Sequence, residues 1–243
     1  MYLVFIDHIE RLHFFNRVQF YSEKIVFVTA RLSVYLLAKY KYKHKFVYYI
    51  KNKHSIHGVF DEQINNSRDY KAGYVSYNDA NILAGSVLSA LKELTSSEDV
   101  KGILMWNGTD VAERVIGNFS RENNIELYYF EISNLPGKLF IDSMGTNADS
   151  VLFHSKDLNW MSQIPKKNNL EYVDFLDVYK KIKSGEYILP QSKKIKSLNY
   201  YFLIDYVGSF FSITPRTQSL SIFKKNILNK KKVHIECSKK NSR

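Results

Sequence analysis

The chain has one cysteine in 243 residues, Cys237. That excludes an intramolecular disulfide and a thiolate metal cluster, and it fits a reducing compartment. Also missing is any run of about 18 uncharged apolar residues, the length that crosses a bilayer. The nearest approach, SLNYYFLIDYVGSFFSI at 197–213, is interrupted by Asp205 and reads as an interfacial or domain-packing helix. The opening MYLVFIDHIERLHFF mixes Asp7, Glu10 and Arg11 into its apolar residues, so it lacks the core of a secretory signal. These absences point to a cytoplasmic protein. The Walker, GxGxxG, HExxH and GxSxG patterns do not occur, which argues against NTPase, dinucleotide, zinc-protease and esterase chemistry.

What is present is a chain able to build a substantial core. Hydrophobic residues make up 45 % and aromatic residues 15 %, so disorder is not the expectation. Charge is unevenly spread. Of the 35 Lys and Arg, 12 lie in residues 191–243 beside only two of the 24 acids, leaving 23 basic and 22 acidic groups in residues 1–190. The first 190 residues are therefore nearly neutral, and a nucleic-acid partner, which needs basic residues over a folded face, is not expected. The Lys-rich end, KKNILNKKKVHIECSKKNSR, has no periodicity; it reads as a solvated tail that could rest on an anionic membrane leaflet.

Along the chain, residues 1–23 read as an irregular or helical lead-in. KIVFVT (24–29) is a continuous β-branched and aromatic run, as a strand buried on both faces requires. ARLSVYLLAKYK follows with helical spacing, and KFVYYIK (45–51) is a second strand, completing a βαβ unit. Leu83, Val87, Leu88, Leu91 and Leu94 mark a long amphipathic helix. ILMW (103–106) and IELYYF (125–130) are further strands separated by the helix VAERVIGNFSRENN, and KLFID is a short fifth extended segment. VDFLDVYKKIKSG (173–185) reads as a helix stopped by Gly185. The alternation predicts an α/β fold, a mainly parallel sheet with helices on both faces.

In such sheets ligands bind beyond the carboxyl ends of the strands. Thr29, the turn Asn107-Gly108-Thr109 and Glu131 occupy such ends, and Thr109 or Asp110 could cap the following helix and leave its amides aimed at an anion. Two short apolar runs end in carboxylates, Glu131 and Asp142, with Ser133, Asn134, Asn147 and Ser150 nearby. Asp142 also suits an Asx turn. His54-x-x-His57 has the spacing of a ligand pair but no supporting Cys or carboxylate motif, so no metal is expected.

The stretch from Trp106-Asn107-Gly108 through Phe130-Glu131-Ile132-Ser133-Asn134 and Leu135-Pro136-Gly137 to Leu139-Phe140-Ile141-Asp142-Ser143-Met144-Gly145-Thr146-Asn147-Ala148-Asp149-Ser150 resembles the capsule polysaccharide biosynthesis proteins. Within that family it is similar to the retaining β-Kdo transferases. The resemblance covers about residues 24–153 and implies a two-domain, GT-B-like glycosyltransferase that moves Kdo from CMP-Kdo to a glycan or glycolipid acceptor without a required cofactor. With it Glu131 is the candidate for handling a proton and Asp142 a weaker catalytic candidate. The expected substrate-binding residues are Thr29, Asn107, Gly108 and Thr109 from their place at strand ends, and Ser133, Asn134, Asn147 and Ser150 from the matching stretch. In that family the second domain carries a nucleotide-binding His-Pro pair. This chain has none: its prolines follow Leu135, Ile164, Leu189 and Thr214. Residues 1–190 are thus expected to form the Rossmann-like acceptor-side domain and 191–243 a basic linker or tail. The donor-binding half would be missing and supplied by a complementing C-terminal half. The alternative expectation is a non-catalytic α/β interaction module of a polysaccharide assembly complex.

Overall fold

The strand at the centre of the sheet lies within the first five residues. In the computed structural model, which describes residues 1–20, 23–53, 59–133, 138–155, 169–186, 200–211, 213 and 215, β1 (Tyr2–Phe5) pairs in parallel with both β2 (Ile25–Thr29) and β4 (Gly102–Trp106). The irregular or helical lead-in expected over residues 1–23 holds for the helix at Ile9–Phe15 and is corrected at Tyr2–Phe5. YLVF is a strand, and Leu3, Val4 and Phe5 are buried because neighbours cover it on both sides and both faces. Four apolar residues running straight into the amphipathic α1 (Ile9–Phe15) carry too little period to announce a strand by themselves.

The sheet has the order β3-β2-β1-β4-β5-β6, the 3-2-1-4-5-6 arrangement of a doubly wound α/β fold. β3 (Val47–Tyr49) and β5 (Glu126–Ile132) continue the parallel pairing, while β6 (Leu139–Asp142) runs antiparallel at the edge beside β5. KIVFVT and ILMW are interior strands, as their uninterrupted apolar runs require.

Alternate side chains feed two cores. On one face Leu3, Phe5, Val28, Ile103 and Met105 pack with α5 (Tyr77–Ser97) and α6 (Val111–Glu122). On the other, Val4, Phe27, Leu104 and Trp106 pack with α1 and α2 (Leu32–Leu36), whose chain continues as a π-helical turn at Leu37–Lys41. The face that α2 and this turn bury is Ser33, Val34, Leu37 and Ala38. Each large apolar side chain enclosed in this way contributes about 1.5–3 kcal/mol relative to exposure. The short helices α3 (Asp61–Asn65) and α4 (Arg68–Lys71) lie between β3 and α5. After β6 come a 3₁₀ turn at Asn147–Asp149, α7 (Val151–His154), α8 (Asn169–Lys183) and α9 (Tyr200–Phe210).

Within the 197–213 stretch, α9 (Tyr200–Phe210) packs against α2, and Asp205 is the reason. Its carboxylate is fully buried and accepts from Arg31 Nε (2.8 Å) and Nη2 (2.6 Å), from Ser33 Oγ (2.8 Å) and from the Ser33 amide (2.8 Å). Arg31 is the N-cap of α2 and offers no side-chain cap of its own. Asp205 thus performs the capping of α2 from a helix 172 residues away. Removing one partner of a buried pair strands the other, so Asp205→Ala should lower stability by about 3–5 kcal/mol. The combined Arg31→Met/Asp205→Leu change should recover most of that loss in urea unfolding. A loss below about 1 kcal/mol in the single variant would mean that α9 is held mainly by apolar contact.

Candidate functional site

Strand order reverses between β1 and β4, so the crevice beyond their carboxyl ends is where a doubly wound sheet ordinarily takes its ligand. Here it is filled by the protein. A cleft of only about 40 Å³ remains, lined by Asp7, His8, Arg31, Asp69, Asp110 and Glu113 among others. That volume admits water but no nucleotide. Arg31 Nη1 donates to the Asp7 carbonyl (2.9 Å) and meets His8 Nδ1 at 3.2 Å. Arg11 pairs with Asp7 and lies 3.4 Å from Glu113 Oε1. Glu113 Oε2 accepts from the Thr109 (2.9 Å) and Asp110 (3.2 Å) amides, and Asp69 Oδ1 from the Val111 amide (3.2 Å). Asp110 caps α6 through a capping box with Glu113, as expected, but the Thr109, Asp110 and Val111 amides at this helix start are taken by Glu113 and Asp69 and do not face an anion.

Burial sets the protonation of this cluster. It raises Glu113 well above the ordinary glutamate range, with the nearby Asp7 charge adding to it against Arg11. It raises Asp110 to about 6 in spite of the two-pronged Arg68 contact at 3.1 and 3.0 Å. His8 is pushed down to about 4 chiefly by burial; the Asp7 charge acts upward against it, and the Arg11 and Arg31 charges act downward with burial. A neutral ring whose Nδ1 accepts from Arg31 fits the 3.2 Å contact. For Asp7 burial acts upward, but Arg11 and His8 prevail and hold it below the usual carboxylate range.

The open site lies toward the sheet edge. A depression of about 890 Å³ is lined by Arg68, Asn107, Glu131, Ser133, Asn147 and Ser150, with Ile132, Phe140, Leu152 and Phe153 as its apolar wall. A few placed polar groups on an apolar and aromatic wall is the usual make-up of a small-molecule site. Asn147 Nδ2 donates to Glu131 Oε2 at 2.9 Å. Ser150 donates to the Asn147 carbonyl (2.7 Å) and caps α7 by accepting from the Phe153 amide (3.1 Å). Asp142 takes the Met144 (2.8 Å) and Gly145 (3.2 Å) amides on Oδ1 and the Val151 amide (3.0 Å) on Oδ2. It is an Asx-turn residue that ties β6 to α7 and shapes the loop carrying Asn147 and Ser150.

The structure thus brings together Asn107, Glu131, Ser133, Asn147 and Ser150. It leaves Thr29 outside: that side chain is buried, and its Oγ1 accepts from the Arg31 amide (3.1 Å), so it shapes the Arg31 turn. Thr109 contributes its amide to Glu113 and its carbonyl to the Arg68 amide, and Gly108 faces an adjoining groove. Asn134, His54 and His57 lie outside the described residues, as does most of the basic tail. Among the described residues no group of three or more His, Cys, Asp or Glu is placed to hold a metal, and no helix is long and apolar enough to cross a membrane. Sequence reasoning missed Asp7, His8, Arg31 and Arg68. For Asp7 and His8 the available signal was a titratable pair one residue beyond YLVF, where a strand end would fall. No family model, characterised protein or solved structure matches the chain.

A carboxyl raised by burial costs stability as pH climbs through the interval between its unfolded and folded values, for Asp110 from about 4 to about 6. His8, depressed, acts oppositely and removes stability as pH falls from about 6.5 to about 4. Asp110→Asn keeps an N-cap side chain and should cancel only the first effect. Between pH 4 and 7 the stability difference should move in the variant's favour by about 1–3 kcal/mol, measured by urea unfolding at each pH. A pH-independent difference would show that burial of Asp110 is not what governs this cluster.

Proposed function

We propose that this chain supplies the acceptor-side half of a Kdo transferase of capsular or lipopolysaccharide assembly. In this reading it works with a donor-binding half that brings CMP-Kdo to the rim of the edge depression. The observation that carries the proposal is the convergence of Asn107, Glu131, Ser133, Asn147 and Ser150 on one open cavity at the carboxyl edge of the sheet. These residues come from separate parts of the stretch on which the family resemblance rests. The closed switch-point crevice supports the same division of labour, since it leaves this domain no nucleotide pocket of its own there. Glu131 takes the proton of an acceptor hydroxyl as that oxygen bonds to the anomeric carbon of the sugar and the bond from that carbon to the donor-side nucleophile, which displaced CMP in the first step, breaks. Asn147 holds the Glu131 carboxylate in place. Both Asp142 oxygens are engaged by backbone amides, so its part is to hold the loop, and the nucleophile for a retaining transfer comes from the donor side.

Glu131→Gln in the complemented enzyme should lower turnover by about 10²–10⁴-fold while moving stability by no more than about 0.5 kcal/mol. The readout is CMP release from CMP-Kdo with a glycolipid acceptor, with and without a complementing half. Unchanged turnover in the variant removes Glu131 from the chemistry. No CMP release under either condition favours the non-catalytic interaction module.

An anionic bilayer completes the proposal. α9 turns Tyr200, Leu203, Val207 and Phe210 to solvent, with Phe211 exposed just beyond it, and Lys193, Lys194, Lys196 and Arg216 flank it in the sequence. Aromatic and aliphatic side chains beside basic ones suit an anionic headgroup layer. The chain should co-sediment with phosphatidylglycerol vesicles at low salt and not with phosphatidylcholine ones, and Phe210→Ser/Phe211→Ser should abolish binding. Retention by the neutral vesicles, or none by the anionic ones, would remove the membrane from the account.

A further inference from the structure

A second groove, of about 290 Å³, opens on the other side of Asn107, between α6 and residues 144–149. α6 presents Arg114, Gly117, Asn118 and Arg121 to it. These positions are three or four apart and therefore stack along one helix face. Neither arginine is ion-paired among the described residues. Glu62 and Asp149 also line the groove, yet neither comes within ion-pair distance of a guanidinium. Arg114 Nε is buried with no hydrogen-bond partner, and so is Asn107 Oδ1. Arg121 reaches the Tyr129 hydroxyl. Buried unpartnered polar atoms are rare and call for an explanation, and here one of them belongs to a cation lining a polar groove.

The floor is kept open by missing side chains. A Cβ at Gly117 would lie 2.9 Å from the Tyr129 hydroxyl, and one at Gly108, where φ is +79°, would lie 2.4 Å from the Tyr129 ring. Asn107 itself is left-handed at φ +58°. It is pinned there by the hydrogen bond its backbone N–H donates to the Phe130 carbonyl (3.0 Å) and by the one the Thr146 hydroxyl donates to its own carbonyl (3.0 Å). Non-glycine residues in this region persist where surrounding structure enforces them, commonly at ligand clamps. Asn107 lines both the Glu131 depression and this groove, so a ligand longer than one sugar can cross it.

We infer that this groove binds an oxyanion, the carboxylate of an acidic sugar or a phosphate, borne by the acceptor, and that Arg114 and Arg121 hold it. Guanidinium forks match both groups in planar two-point geometry, and Asn118 and Asn66 add amides for the neighbouring hydroxyls. That an acceptor bears the anion rests on the transferase reading above; the anion site itself does not depend on it. Calorimetric titration of the full chain at low ionic strength with galacturonate, inorganic phosphate and galactose tests it. Saturable binding of one or both anions but not of galactose is expected, and the tighter anion identifies the source. Arg114→Gln/Arg121→Gln should weaken that binding at least about tenfold, the effect of losing a charged hydrogen-bonding anchor, while Lys92→Gln, outside the groove, leaves it unchanged. Should the double variant not fold, the exposed Arg121→Gln alone carries the comparison. Absence of saturable binding by either anion, or equal binding in the arginine variants, overturns the inference. Anion binding without CMP release in the complemented assay would discard the transferase reading and keep the groove; CMP release without anion binding would do the reverse.

Discussion

One guanidinium ties three parts of this molecule together. Arg31 leaves the carboxyl end of β2 and reaches the Asp7 carbonyl and His8 at the end of β1, while its other nitrogens meet Asp205 on α9. Such a pair is enclosed at a large desolvation cost, which is offset only because every polar contact around it is made. Asp205 accepts four hydrogen bonds, one of them from an α2 amide that the N-cap residue leaves unserved. The pair therefore does more than attach a helix. It closes the crevice at which strand order reverses and orients α9 so that Tyr200 and Phe210 face outward while Tyr201 and Phe202 pack inward.

Closing that crevice transfers the accessible chemistry sideways. Carboxylates and arginines beyond β1 and β4 pair with one another, leaving Asp7 Oδ1 without a hydrogen-bond partner, and burial and mutual charge set which of them ionise. Beyond β5 the situation is different. β6 turns back antiparallel, and the Asp142-centred loop folds Asn147 and Ser150 against Glu131. The polar residues there remain open to solvent on one side and have an apolar wall on the other. A ligand excluded from the switch point can be taken at the edge, and Asn107 borders both open cavities.

How much of this was legible in the sequence depended on the range of the forces involved. β2, β4 and β5 declared themselves by unbroken apolar runs and α5 by its leucine spacing, because burial on one or both faces is written into neighbouring residues. Glu131 and Asn107 could be assigned to strand ends for the same reason. Asp142 was legible as both a site residue and an Asx turn, and its three amide contacts make it the turn. Thr29 occupied an equivalent strand end yet points inward to the Arg31 amide, a distinction that position within a strand does not carry.

The sequence by itself determined the class of fold, the main strands and helices and the neutrality of residues 1–190, since composition and periodicity act over a few residues. Only the tertiary structure decided that β1 is the centre of the sheet, that the switch-point crevice is shut and that the open site lies at the edge. The physical reason is sequence distance. Arg31 and Asp205 are 174 residues apart, and Arg68 and Asp110 are 42 apart. Whether such charges meet, and so whether they fill a site or leave it free, is set by the packing of the sheet and helices that bring them together.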